Sequence, residues 1–308
     1  MRNIAILGAT GYIGKSLVQH LSRQKEDKFF LFARSQEKLK KLLYVTDRNP
    51  LFTTGSFQKF SAGHYDVVIN CVGMGNPNEV RKSGMKIIQV TEKFDNLILK
   101  YLEKHPNTLY INLSSGAVYG KIIEKPLEIT SQSVIDINNL DSGDYYAIAK
   151  MNSEAKHRAL PNFNIVDIRV FSFFSHFIDL SSGYLLADII NSLRYKKELI
   201  TSPDDIIRDY VGAVELWDLM KLIMKKRTAN DVFDIYSAKP VSKFALLKYL
   251  KRRYGLQYSI VKTSRKQSPT GIKKFYYSKN RKAKNIGYSP KKTSLEIVDD
   301  EIKYCLLP

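Results

Sequence analysis

The stretch Ser142 to Lys150, SGDYYAIAK, sets a phenol and an ammonium one helical turn apart. On a helix, positions i and i+4 share a face, so Tyr146 and Lys150 can reach a common point. Tyr145 is turned about 100° away around the same helix and cannot share it. The chemistry open to such a pair is general acid–base catalysis. A phenol titrates near about 10, and a neighbouring ammonium stabilises phenolate, bringing the group closer to an operating pH. The same two residues could equally decorate an amphipathic helix, so the elements around them must decide.

From Arg2 to about Asp167, short apolar runs (NIAILGA, KFFLFAR, DVVINCVG, TLYINLSS, NIVDIRV) alternate with helix-like segments such as GKSLVQHLSRQ and MKIIQVTEKFDNLILKYLEKH. Near-continuous apolar strands separated by helices predict an α/β fold with a parallel sheet covered on both faces. Past Ser172 the pattern loosens. A helix is expected near Ser182 to Lys197, a loop at TSPDDIIRDYV, another helix around Glu215 to Lys226, and then a basic region. The expected division is a dinucleotide-binding domain over residues 1–171, to which 202–235 returns. A smaller substrate lobe is expected from 172–201 and 236–308.

AILGATGYIGKSL puts Gly8, Gly11 and Gly14 directly after a strand and at the start of a helix. The first glycine allows a tight turn, the second lets backbone approach a pyrophosphate, and the third lets helix pack closely on strand. Free amides from Gly8 through Tyr12, Ile13 and Gly14, with the positive helix end, then hold phosphates. This predicts a Rossmann-type, doubly wound sheet that binds a dinucleotide. Arg34 stands 20 residues beyond Gly14, where NAD-binding versions place an acid for the adenine ribose. A guanidinium there, with the Ser35 hydroxyl beside it, suits the 2′-phosphate of NADP rather than NAD. TLYINLSSGAVYG delivers Ser114 and Ser115 to a strand's carboxyl end, where ligands of open parallel sheets bind. About 30 residues later comes the helix of Tyr146 and Lys150, close enough for a crossover to make Ser115, Tyr146 and Lys150 a triad.

Composition narrows the classes. The 308 residues are 44% apolar, enough for a large core, and no apolar run approaches the length of a membrane span. The glycine-rich start does not read as a secretion signal. Cys71 and Cys305 form neither a disulfide framework nor a metal spacing, so a reducing, cytoplasmic setting is expected. Glu154 and His157 have the spacing of half a carboxylate-bridged metal motif, but no second copy exists. The pair is expected at the surface of the helix, with no metal. Of the net charge of +19, most comes from Ile235 to Leu295, which holds 17 Lys or Arg and no Asp or Glu. Such a field gathers anions, whether phosphates, nucleic acid or an acidic membrane face. The alternation of bases and rings in KRRYGLQYSIVKTSRKQSPTGIKKFYYSKNRKAKN would also suit single-stranded nucleic acid.

Jointly, GATGYIG, DVVINCVG, LSSGAVYG, YAIAK, DIRVF and RDYV, in this order, make the chain resemble the extended short-chain dehydrogenase/reductases that epimerise, dehydrate or reduce nucleotide sugars. The resemblance implies Tyr146 as proton donor or acceptor, Lys150 as its electrostatic partner and ribose anchor, and Ser115 as hydrogen-bond donor to the reacting sugar oxygen. It places Asn70, Cys71, Val72, Gly73 and Ser114 along the cofactor and Arg208 near the substrate diphosphate. A nucleoside-diphosphate sugar becomes the expected partner, a homodimer through the helix of Tyr146 the expected assembly, and nucleic acid a disfavoured ligand. Departures bear on the reaction. Gly116 and Ala117 follow Ser115 where sugar dehydratases carry an acid, so elimination is not expected. Arg169, Phe171, Ser172, Phe174, Ser175 and His176 replace the relatives' Arg-x-Phe-Asn-x-Tyr-Gly-Pro, leaving contacts around Ser172, and the sugar, open. The leading expectation is an NADPH-dependent reductase of a keto nucleotide sugar. A 4-epimerase retaining its cofactor is the second, and a non-catalytic cofactor sensor or nucleic-acid binder on this fold the third.

Overall fold

A computed structural model describes residues 1–45, 51–226, 230–262 and 272–307. Its centre is a seven-stranded sheet in which every pairing is parallel. In chain order the strands are β1 (Asn3–Leu7), β2 (Lys28–Phe32), β3 (Phe52–Gly55), β4 (Val67–Asn70), β5 (Leu109–Ser115), and then, beyond the short β6 (Ile122–Ile123), β7 (Ile165–Val170) and Asp231–Asp234. Across the sheet the order is Asp231–Asp234, β7, β5, β4, β1, β2, β3. The direction of winding reverses between β1 and β4, which opens a crevice at their carboxyl ends. The strands are apolar because both faces are covered: Ile4, Ile6, Val67, Ile69, Ile111, Val166 and Ile168 lie in one core, and Ala5, Leu7, Val68, Tyr110 and Ile165 in the core of the opposite face.

The helices that matter for the site are α1 (Tyr12–Leu21), α2 (Gln36–Val45), α3 (Pro77–Ser83), α4 (Met85–Lys104) and α5 (Ser142–Arg158). The start of α5 is specified locally. Asp141 accepts from the Gly143 amide at 2.8 Å, and Asp144 accepts from the Asp141 amide at 2.9 Å, so a capping box fixes the first turn. Lys121 braces both carboxylates. The small residues Gly143, Ala147 and Ala149 are on the buried side, which brings α5 close to its neighbours.

A second apolar core gathers Phe174, Ile178, Leu186, Ile190, Leu246, Leu250, Val298 and Ile302. The helix expected near 182–197 spans Leu185–Tyr195, and the one near 215–226 spans Ala213–Lys226. The latter, with Tyr236, Ala283, Ile286 and Tyr288, packs into the core of the large sheet. The stretch expected as a plain loop, TSPDDIIRDYV, contains two short strands instead, Ile207–Arg208 and Tyr210–Val211. Arg208 lies in register with Tyr276, and Tyr210 with Ser172. Two-residue strands have no legible period, so only their partners reveal them.

Candidate active site

The glycine loop occupies the crevice. Gly8 has φ +81°, and a Cβ there would stand 2.9 Å from the Cys71 carbonyl carbon, so β1 and β4 leave the sheet in contact at this point. A Cβ at Gly14 would stand 2.2 Å from the Gly8 carbonyl oxygen, which lets α1 press onto the turn. The amides of Gly8 and Ala9 donate to Phe32, and that of Gly11 to Gly8. Gly11 itself is exposed at the helix end. Backbone packing at Gly8 and Gly14 closes the turn and uses the Gly8, Ala9 and Gly11 amides, which leaves the first amides of α1 beyond Gly11 to fit a dinucleotide pyrophosphate. Ile13 packs against the sheet core, and the Tyr12 phenol reaches across to the 172–176 segment, accepting from the Ser175 amide at 2.9 Å. Both contribute backbone to the loop, while their side chains serve packing.

Arg34 lies two residues past the end of β2 and is exposed; among the described residues no carboxylate pairs with it. The Ser35 hydroxyl accepts from the Lys38 amide at 3.2 Å, at the start of α2. Asn70 turns inward rather than along the crevice. Its side chain donates to Tyr110 Oη and accepts from the Val72 amide, both at 3.0 Å, which sets the course of the segment after β4. Cys71 is half-buried, with its thiol pushed up to about 12 by burial.

That segment passes under α5. A Cβ at Gly73 would stand 3.6 Å from Lys150 Nζ, and one at Gly75 would stand 3.5 Å from Tyr146 Oη. Lys150 is buried and donates to the Leu113 carbonyl at 2.8 Å, two residues before Ser115. Ser115 Oγ accepts from the Ala117 amide at 3.1 Å and lies 3.4 Å from Tyr276 Oη. Tyr276 in turn lies within the electrostatic reach of Tyr146. Ser115, Tyr146 and Lys150 thus converge at the carboxyl ends of β4 and β5, beside the glycine loop. Tyr145 is half-buried, and among the described residues its side chain makes no hydrogen bond.

Ser114, one step back along β5, points elsewhere. Its hydroxyl donates to Glu154 at 2.5 Å, and Glu154 is held by Arg169, whose Nη1 also donates to Tyr119 Oη. An acid at Gly116 would require Phe171 to move, because a Cβ there would stand 2.4 Å from its ring.

Arg208 is half-buried, donates to the Lys273 carbonyl at 2.7 Å, and sits 5.7 Å from the Tyr276 ring centroid. Lys273 is buried, with Nζ 4.5 Å from the same centroid. Sequence reasoning missed Tyr276 as a site residue, since KKFYYS reads only as part of an anion-gathering basic segment until its strand pairs with Ile207–Arg208. Ser172 is half-buried beside Tyr210 on the neighbouring segment.

The expected surface pair is not at the surface, for Glu154 is half-buried and His157 buried. His157 is fully inaccessible, clamped between Asp167 at 2.9 Å and Asp95 at 2.8 Å. Burial alone would lower the imidazole, but hydrogen bonds and charge from the two carboxylates outweigh it and lift His157 to about 9. The residues form structural ion pairs, and among the described residues no cluster has the make-up of a metal site. Nor is any described helix long and apolar enough to cross a membrane.

A glycine cradle at the switch point of a doubly wound parallel sheet defines the dinucleotide-binding α/β class. The chain belongs to the NAD dependent epimerase/dehydratase family, whose model matches residues 4–239. No curated relative matches it. Among solved structures, UDP-glucuronic acid 4-epimerase from Bacillus cereus, in complex with UDP-glucuronic acid and NAD, is 18% identical with a TM-score of 0.80, covering 98% of each chain. UDP-N-acetylglucosamine 4-epimerase from Methanobrevibacter ruminantium is 16% identical, TM-score 0.81, over 98% of this chain and 97% of that one. dTDP-glucose 4,6-dehydratase from Bacillus anthracis, in complex with NAD, is 14% identical, TM-score 0.77, over 99% and 96%. At these identities the likeness is one of fold.

Proposed function

We propose that the chain is an NADPH-dependent reductase of a keto sugar, most simply a 4-keto sugar, carried on a nucleoside diphosphate. The observation that carries the cofactor choice, and through it the reaction, is Arg34: an exposed guanidinium without a carboxylate partner among the described residues stands where NAD-binding loops offer an acid. When bound, the nicotinamide supplies hydride to the carbonyl carbon. Tyr146 gives the proton to the carbonyl oxygen, Lys150 favours its phenolate and anchors the ribose, and Ser115 aligns the oxygen by hydrogen bonding. Arg208 faces the diphosphate. The crowded position at Gly116 supports a reaction without elimination, so the keto sugar is the product of a separate dehydratase.

The 4-epimerase reading is favoured by the structural neighbours, since two of those named above are 4-epimerases. An epimerase returns hydride to the same substrate and keeps its cofactor, whereas net reduction consumes it. Incubating the protein with NADPH and a 4-keto nucleotide sugar, and separately with ordinary UDP-sugars, decides between them. Stoichiometric loss of reduced-nicotinamide absorbance with the keto sugar is expected. A 4-epimer formed from an ordinary sugar with no net absorbance change would establish epimerase in its place.

A further inference from the structure

Two cations meet one aromatic ring in the pocket beyond Ser115. Lys273 Nζ lies 4.5 Å and the Arg208 guanidinium carbon 5.7 Å from the centroid of Tyr276, whose hydroxyl is 3.4 Å from Ser115 Oγ. Lys273 is only 7% exposed, yet among the described residues its Nζ has no carboxylate or carbonyl partner. Among the described residues, the fully enclosed polar atoms without a partner do not include its Nζ, so the stem is covered while the ammonium keeps access to solvent, where it can receive an anion. Lys243 shows the contrast, since its buried Nζ donates to the Ser202 carbonyl.

The groups around Lys273 offer it no anion. From the Ile207–Arg208 strand comes Arg208, a like charge. From its own segment come the neutral Tyr276 and the exposed Lys274, whose Nζ lies over Phe275. β6 pairs with Ile272–Lys273; of the charged residues flanking it, Lys121 is taken up by Asp141 and Asp144, and Glu124 is exposed. From α5, Tyr146 bears on Tyr276. Among the described residues none is a counter-ion to Lys273, and the Tyr276 ring, with its hydroxyl 3.4 Å from Ser115 Oγ and Lys273 Nζ 4.5 Å from its centroid, links this cation to the candidate catalytic serine.

We propose that Lys273 is the second cation for a dianionic ligand in this pocket and that it takes its proton from solvent as the ligand binds, so that nucleotide-sugar binding and protonation of the protein are one event. The inference rests on the nucleotide-sugar reading and adds to it a residue and a linkage. Burial first, and then the Arg208 charge, lower the free Lys273 ammonium to about 7, while a diphosphate beside it favours the charged form again. The sign follows. Well below pH 7 the ammonium is already charged and no proton is needed; above it, binding must draw one, and affinity falls as pH rises.

UDP-glucose and dTDP-glucose are suitable probes, because both phosphoryl groups are esterified and hold no proton near neutrality. Titration calorimetry of the full chain at about pH 8, in buffers of different ionisation heat, is expected to show uptake of about one proton by the wild type. The dissociation constant should rise by up to about tenfold per pH unit above 7. Lys273→Arg, charged throughout, is expected to bind with no uptake and a flat pH profile. Lys273→Met should lose affinity by about ten- to a hundredfold near neutral pH. If Lys273→Arg takes up as many protons as the wild type, or Lys273→Met binds as tightly, the assignment of Lys273 fails while the nucleotide-sugar reading stands. If neither sugar binds to protein that still binds NADPH, the reading beneath it fails too.

Discussion

The Lys150 ammonium donates a 2.8 Å hydrogen bond to the carbonyl of Leu113, which ties the middle of α5 to β5 just before that strand delivers Ser115. One bond thereby sets the position of the helix face that also carries Tyr146. Tyr146→Phe keeps the ring packing near Met74 and Ile88 and loses only the hydroxyl. Turnover of the keto sugar should fall by about a hundred- to ten-thousandfold, with cofactor binding retained. Tyr145→Phe should run at near wild-type rate. Steady-state kinetics of the two variants checks this, and a dead Tyr145→Phe beside an active Tyr146→Phe would assign the proton to the other phenol.

The sheet was legible because its strands are continuous apolar runs and its loops carry glycine where backbone meets backbone, as at Gly8 and Gly14. Tyr146 and Lys150 were legible from helical spacing alone. His157 was not: a histidine on a helix gives no sign that Asp95, from α4, and Asp167, from β7, will enclose it. Tyr276 was hidden for a related reason, and Lys273 was legible as one of the basic charges that could capture a nucleotide sugar but not as a buried one. They lie on two separate two-residue strands of a basic segment, Phe275–Tyr276 paired with Ile207–Arg208 and Ile272–Lys273 paired with β6, and both partners are far away in sequence.

The buried His157 predicts how stability varies with pH. Its folded value, about 9, is raised above the ordinary 6.5. The stability it contributes is therefore fully present below about 6.5 and is lost as pH rises through 9, because the folded state there holds the proton more tightly than the unfolded chain. Tm measured across this window should decline. Replacing His157 by Gln removes the cation between Asp95 and Asp167, which keep Lys156 and Arg158 as partners, and should destabilise by about 1 to 3 kcal/mol. An unchanged Tm in that variant would remove the charged imidazole from the account.

Gly14→Ala should damage the cofactor site more than the fold. The added carbon would stand 2.2 Å from a backbone oxygen of the turn, which must move to admit it. Affinity for NADP and NAD should fall together by about tenfold or more, since both share the pyrophosphate. Fluorescence titration with each dinucleotide reads this directly, and wild-type affinity in the variant would mean the pyrophosphate is held elsewhere.

Arg34 separates the two cofactors. It is exposed after β2, without a carboxylate partner among the described residues, so its removal costs the folded protein little. Only NADPH offers it a 2′-phosphate, and a charge-assisted hydrogen bond of this kind contributes roughly 1.5 to 3 kcal/mol. Arg34→Ala should therefore weaken NADPH by about ten- to a hundredfold while leaving NADH nearly unchanged. Ser35 is a poorer probe, because its hydroxyl also accepts from the Lys38 amide where α2 begins. The measurement is a pair of binding curves on wild type and variant, taken at equal ionic strength because phosphate contacts are screened by salt. Equal losses for both cofactors, or a wild-type preference for NADH, would turn the assignment to NAD and strengthen the epimerase reading with it.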